Sequence, residues 1–124
     1  MLMLLGLAAT AHAQARRLIY VQNACQRPVR VIVYHTDAKG AHQQGWYYFN
    51  PNEGSYLRSE AGAKLTHIED DPLYAYAETT DAGKRLHWQG NGPEVKQDGG
   101  FYRTMPLSTR IDNDGDLLAR ITCT

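Results

Sequence analysis

The sequence predicts an all-β domain, a single antiparallel sandwich or small barrel of roughly seven to nine short strands. Three observations carry this expectation. Apolar residues come in short runs, several of them strictly alternating. Gly, Asn, Asp and Pro clusters punctuate those runs at turn-like intervals. No segment sustains the 3.6-residue apolar period of an amphipathic helix.

The elements follow in order. A first strand is expected over 18–22, then a turn over 23–27 that carries Cys25. Pro28 opens a second strand over 29–35, where Val29, Val31 and Val33 share one face and Arg30, Ile32 and Tyr34 the other. Residues 37–40 turn the chain, with Gly40 suited to a left-handed position. A third strand over 45–50 places Trp46 and Tyr48 opposite to Tyr47 and Phe49. The Pro51-Asn52-Glu53-Gly54 turn leads to short strands over 55–57 and 64–68. Residues 73–79 alternate cleanly, with Tyr74, Tyr76 and Glu78 on one side and Leu73, Ala75 and Ala77 on the other. The Asp81-Ala82-Gly83 turn pairs that strand with residues 85–88. Residues 89–100, rich in Gly and polar side chains, read as an exposed loop. A strand over 101–107 with Pro106 as a point of interruption, a hairpin turn at 113–116 and a last strand over 117–122 complete the chain.

Residues 1–13 have the character of an export leader: an apolar run, then small residues ending Ala11-His12-Ala13, with cleavage expected before Gln14. No Lys or Arg precedes the apolar run, which departs from the usual leader. A buried N-terminal helix would not need the small-x-small ending. The run is also shorter than the roughly 20 residues of a permanent span. Residues 14–124 then form one domain, expected in the periplasm or outside the cell, with no membrane insertion once the leader is removed. In that compartment thiols oxidise, so Cys25 and Cys123, the two cysteines present, are expected to form a disulfide.

Lys plus Arg and Asp plus Glu balance at 13 each, with no basic run. That excludes an electrostatic nucleic-acid binder and a polybasic membrane anchor. Eight Tyr, two Trp and two Phe make aromatic side chains the most prominent chemical resource.

The order of short motifs resembles that of a group of small exported bacterial domains close to the domain of unknown function 1036 family. The matching residues are Asn23-Ala24-Cys25, Gly45-Trp46-Tyr47, Pro51-Asn52-Glu53-Gly54, Tyr74-Ala75-Tyr76-Ala77-Glu78, Trp88-Gln89-Gly90 and the Asp114-Gly115-Asp116-Leu117 to Thr122-Cys123 ending. Tyr47 stands where that family usually has a second Trp, and Ser55 where it often has a cysteine. The resemblance implies a secreted β domain and brings no catalytic residues.

The candidate chemistry is sparse. With both cysteines in a disulfide, no activated nucleophile remains, and no serine lies in a Gly-x-Ser-x-Gly elbow. His35, His42, His67 and His87 form no metal-binding spacing, so no metal or cofactor is expected. Asp112, Asp114 and Asp116 alternate as calcium ligands do. An EF-hand count from Asp112 puts Leu117 and Cys123 where Gly and Glu belong, so a solvated hairpin turn is the expectation. Glu69-Asp70-Asp71 reads as a solvated loop. Glu78 and His87 fall opposite one another on the predicted hairpin, either as a cross-strand polar pair or as the acid and base of a small hydrolase.

Trp46, Tyr48, Tyr74, Tyr76 and Trp88 are the candidate ligand-binding set. On one sheet face their rings suit sugars or extended peptides; turned inward, they fill a core. The leading expectation is a non-enzymatic binding or interaction module whose partner is an envelope glycan or protein. The alternatives are the Glu78/His87 hydrolase and a purely structural envelope protein.

Overall fold

The alternating runs form strands throughout. The computed structural model describes residues 15–123, and the leader expected over 1–13 lies outside them. Twelve strands and no helix are present among the described residues. The described chain is therefore all-β, with more strands than the sequence suggested; the first three are longer than expected and several later ones shorter.

Sheet one is built on β1 (Arg16–Asn23). β12 (Leu117–Ile121) runs parallel along one side of it, with β11 (Thr109–Ile111) beyond. β4 (Gly54–Tyr56) and β5 (Thr66–Ile68) share its other side, antiparallel. Ile19 sits at their junction: its carbonyl accepts from Leu57 at 3.0 Å and its N–H donates to Leu65 at 3.3 Å. Sheet two runs β10 (Met105–Pro106), β6 (Tyr74–Thr79), β2 (Val29–Asp37), β3 (Gly40–Phe49), and β7 (His87–Trp88) also pairs with β6. A ribbon of β8 (Glu94–Gln97) and β9 (Gly100–Arg103) completes the set. Neither five-stranded sheet closes on itself.

Three expectations need correction. The pairing is not antiparallel throughout, because β1 and β12 are parallel neighbours from Ile19↔Leu117 to Asn23↔Ile121. Residues 89–100 are not simply a loop, and the strand expected over 101–107 is divided. Asp98 (φ 51°) and Gly99 (φ 85°) make a two-residue hairpin turn that folds β8 onto β9. Asp-Gly is the residue pair that such a turn favours.

The inward residues of both sheets meet in one apolar cluster. β1 supplies Ile19 and Val21, β2 supplies Val29, Val31 and Val33, β6 supplies Ala75 and Ala77, and β12 supplies Leu117, Ala119 and Ile121. All are buried, and each fully buried Val, Leu or Ile contributes about 1.5–3 kcal/mol. Period-two alternation puts Ile32 on the other face of β2, where Tyr76 and Val95 cover it.

The turn after β1 is held by Asn23, which is fully buried. Its amide donates to the carbonyls of Arg27 at 2.9 Å and Asn50 at 3.0 Å, and its side-chain oxygen accepts from the N–H of Cys25 at 3.0 Å. Cys25 is thereby presented to Cys123, just past the end of the neighbouring strand. The two form a disulfide with their Cα atoms 5.0 Å apart.

Candidate functional site

The outward face of sheet two gathers most of the aromatic candidates. Register sets Arg30 beside both Tyr48 and Glu78, Ile32 beside Tyr76, Tyr34 beside Tyr74, and Glu78 beside His87. Between Val31 and Val33 the β2–β3 ladder is irregular, and Gly45 and Trp46 together oppose Ile32. Such a bulge re-aims the side chain that follows. Gly45 allows it because its α-carbon packs against β2: a Cβ there would lie 2.9 Å from the Ile32 Cα.

Glu78 is the electrostatic centre of this face. Its side chain is 5 % exposed, and Arg30 and Arg85 both donate to Oε2 at 2.8 Å. The Tyr76 hydroxyl donates to Oε1 at 2.6 Å and lies 2.7 Å from His87 Nδ1. With the phenolic proton committed to Glu78, His87 Nδ1 is the donor to the Tyr76 oxygen. Burial pushes the Glu78 carboxyl up, but the bonds from Tyr76 and Arg30 and the charges of Arg30 and Arg85 outweigh it. The group is held below its ordinary value, as a carboxylate. Burial and the bond to Glu78 together push the Tyr76 hydroxyl well above the usual phenol range.

The Arg30 guanidinium also lies 3.8 Å from the centre of the Trp46 ring. Trp46 meets Tyr102 edge-on at 5.2 Å and Tyr76 at 6.2 Å. The β8–β9 ribbon is laid over this cluster by Gln43, which donates to the Lys96 carbonyl at 2.6 Å, and by Gln97, which donates to the Gly45 carbonyl at 3.1 Å. Tyr76 is consequently buried, Trp46 half-buried, and Tyr48 65 % exposed. Along the free edge of β3 beside Trp46 runs a groove of about 700 Å³. Trp46, Tyr47, Gln44, Arg58, Ser59 and Glu60 line it. The Tyr47 hydroxyl donates to the Arg58 carbonyl at 2.7 Å across that groove, and burial pushes it up to about 12.

Trp88 does not join the other candidates. It pairs with Ala77, not with Tyr76 or Glu78, and so points from the opposite face. There it packs against the inter-sheet core and donates its indole N–H to the Thr122 carbonyl at 2.9 Å. Trp46, Tyr48, Tyr74 and Tyr76 do share one face. Tyr34 and Tyr102, which sequence reasoning left out, complete it.

The carboxylates of Asp112, Asp114 and Asp116 come within 4.8 Å of one another. Their bonds build the turn. Asp112 Oδ1 accepts the backbone N–H of Asp114 and of Asp116, each at 2.9 Å, and Asp116 accepts the Tyr56 hydroxyl. His35 and His67 are buried and bond to backbone groups, and His42 pairs with Asp37 at 2.9 Å.

Sequence reasoning also missed Arg30 and Arg85 as partners of Glu78. The alternation of β2 placed Arg30 on the face opposite the valines, but only the β2–β6 register brings it to Glu78. No family model matches the chain, and neither curated proteins nor solved structures give a significant match.

Proposed function

We propose that this chain is a non-enzymatic binding module of the cell envelope or extracellular space, and that the Trp46 groove with the exposed Tyr48 ring takes an envelope glycan. The observation that carries the reading is the lining of the groove. An indole and a phenol stand among amide, guanidinium, hydroxyl and carboxylate side chains along an open sheet edge. Aromatic faces suit the apolar faces of sugar rings, and the surrounding polar groups suit their hydroxyls. In this reading Arg30, Glu78, Tyr76 and His87 form the rigid floor that fixes Trp46, not an acid and base.

Export fits the same picture. The disulfide is compatible with an oxidising compartment. Among the described residues no helix is long and apolar enough to cross a membrane. The leader pattern and the motif order shared with exported domains of unknown function point the same way. Two open sheets around one apolar cluster then act as a single sandwich that carries the groove on one edge.

Co-sedimentation with insoluble cell-wall polysaccharides, and titration with their soluble fragments, tests the proposal. Saturable binding is expected, about 5–10-fold weaker in Tyr48→Ala and weaker still in Trp46→Ala, with melting curves confirming that both variants fold. Absence of binding to any glycan, or affinities unmoved by both substitutions, would overturn it. Release of new reducing ends that Glu78→Gln abolishes would instead establish the hydrolase.

A further inference from the structure

Trp88, excluded from the aromatic face, lines a different cavity. Where the β10 and β7 side of sheet two meets the β11 and β12 side of sheet one lies a cleft of about 450 Å³. Its walls include Trp88, Met105, Leu107 and Leu118, and Arg110 and Arg120 stand among them. We propose that this cleft binds an amphiphilic anion, a single apolar chain or ring system bearing a carboxylate or similar head.

Three observations carry the proposal. The volume falls in the range of small-molecule sites, and the lining has their usual composition, apolar walls with a few convergent polar groups. The one hydrogen-bonding group of the Trp88 ring is already satisfied by Thr122 at 2.9 Å. The indole thus presents an apolar wall with no unmet donor.

The third observation is charge. Arg110 pairs with Leu118, so Arg120, two residues further along β12, is its diagonal neighbour on the same face. Arg17, Arg27, Arg30 and Arg85 each lie within 2.8 Å of a carboxylate oxygen. Among the described residues Arg110 and Arg120 have no such partner. Two adjacent guanidiniums at the rim of an apolar cleft complement an anionic head on an apolar body. Asp112 and Asp114 border an adjoining groove that shares Arg110, Leu118 and Arg120 with the cleft. Asp112 Oδ1 is spent on the backbone of its own turn. Among the described residues no carboxylate lines the cleft itself, so the anionic head belongs on its Trp88 side.

The probe is decanoate, with 1-decanol as the uncharged analogue and phosphatidylglycerol vesicles as the bilayer source of the same chemistry. Trp88 fluorescence is read in a Trp46→Phe background. A saturable change with monomeric decanoate is expected, weakened by salt, and at least about tenfold weaker in Arg110→Gln/Arg120→Gln. Both arginines are exposed, so that variant should melt with the parent. Equal affinity for decanol, an affinity unmoved by the double substitution, or binding to vesicles alone would each overturn the proposal. Polysaccharide co-sedimentation is run on the double variant with Trp46 restored; its Trp46 groove is then intact and binding there is unaffected, so either proposal can fail without the other.

Discussion

His35 on β2 donates its Nδ1–H to the carbonyl of Thr66 on β5 at 2.7 Å, across from one sheet to the other. His67 completes the corner in the opposite sense. Its Nδ1 accepts the Thr36 N–H at 2.9 Å, and its Nε2–H donates to the Asp71 carbonyl at 2.7 Å. Both imidazoles are buried; His35 ties β2 to the backbone of β5, and His67 ties the backbone of β2 to the turn after β5. His35 Nε2 is buried with no hydrogen-bond partner among the described residues. That is tolerable for a lone pair and costly for an N–H⁺.

The first prediction is acid sensitivity at this corner. Burial, the largest influence, lowers the His35 pKa. His42 and His67 act in the same direction, and the Thr66 carbonyl and Asp37 oppose it. The unfolded chain protonates His near pH 6.5. The stability that His35 contributes is thus complete above about pH 6.5 and is lost as pH falls through its lower folded value. Asp37 and Glu78, both held below their ordinary values, contribute above about pH 4 and act only below that window. Urea midpoints should fall between pH 8 and pH 5, and His35→Gln should flatten that slope. A midpoint that rises on acidification would refute the assignment.

The disulfide predicts a large stability effect. Cys25 and Cys123 are 98 residues apart in sequence, so the bridge removes a long loop's entropy from the unfolded chain. In the chain-entropy account this contributes about 4–5 kcal/mol. Because β1 and β12 are already paired up to Asn23↔Ile121, the folded state needs no rearrangement to accept it. Cys123→Ser should lower the melting temperature by roughly 15 °C or more. A shift of a degree or two would place the stabilisation elsewhere.

Gly45 predicts a position-specific backbone cost. Its φ is +155°, and an added Cβ would meet the Ile32 Cα at 2.9 Å and the Val31 carbonyl oxygen at 3.0 Å. Both are backbone atoms of the central strand and cannot swing aside. Gly45→Ala should cost about 1–3 kcal/mol. Gly62, at φ +92° with nothing within 4 Å of the added atom, is the matched control and should cost less on substitution. Equal losses at both positions would show that φ alone, not the contact with β2, makes Gly45 necessary.

What the sequence revealed depended on distance along the chain. Period-two alternation grouped Val29, Val31 and Val33 on one face and Trp46 with Tyr48 on one face, because side-chain direction in a strand is a local property; which face met the core it left open. The Glu78–His87 pairing was legible because one short turn sets its register. Trp88 was assigned to the wrong face although it adjoins His87. Residues one apart on a strand face opposite ways, so Trp88 cannot share a side with the partner of Glu78. Long-range pairing stayed hidden. Nothing local says that β12 runs parallel to β1, that Arg30 meets Glu78 across 48 positions, or that a ribbon near residue 100 covers Tyr76. The buried histidines showed only an absence of metal-binding spacing, because their partners are backbone groups of β2, β5 and the turn after β5, which no side-chain motif encodes.

The last prediction separates a structural Glu78 from a catalytic one. Its carboxylate is almost fully buried and receives two guanidiniums and a phenol. Removing its charge leaves Arg30 and Arg85 facing a neutral amide. Removing one partner of a buried ion pair is among the costlier substitutions, and here the partial exposure of both arginines, 27 % and 50 %, moderates it. Glu78→Gln should therefore cost about 1–3 kcal/mol. Tyr76→Phe, which removes one neutral donor and the link to His87, should cost about 1 kcal/mol. The pair share one network, so the double variant should lose less than the two single losses combined. A catalytic carboxylate kept at the expense of stability predicts the reverse sign for Glu78→Gln. Chemical denaturation of the four proteins at pH 7 decides between them: a Glu78→Gln midpoint at or above the parent would reject the structural role argued for this face.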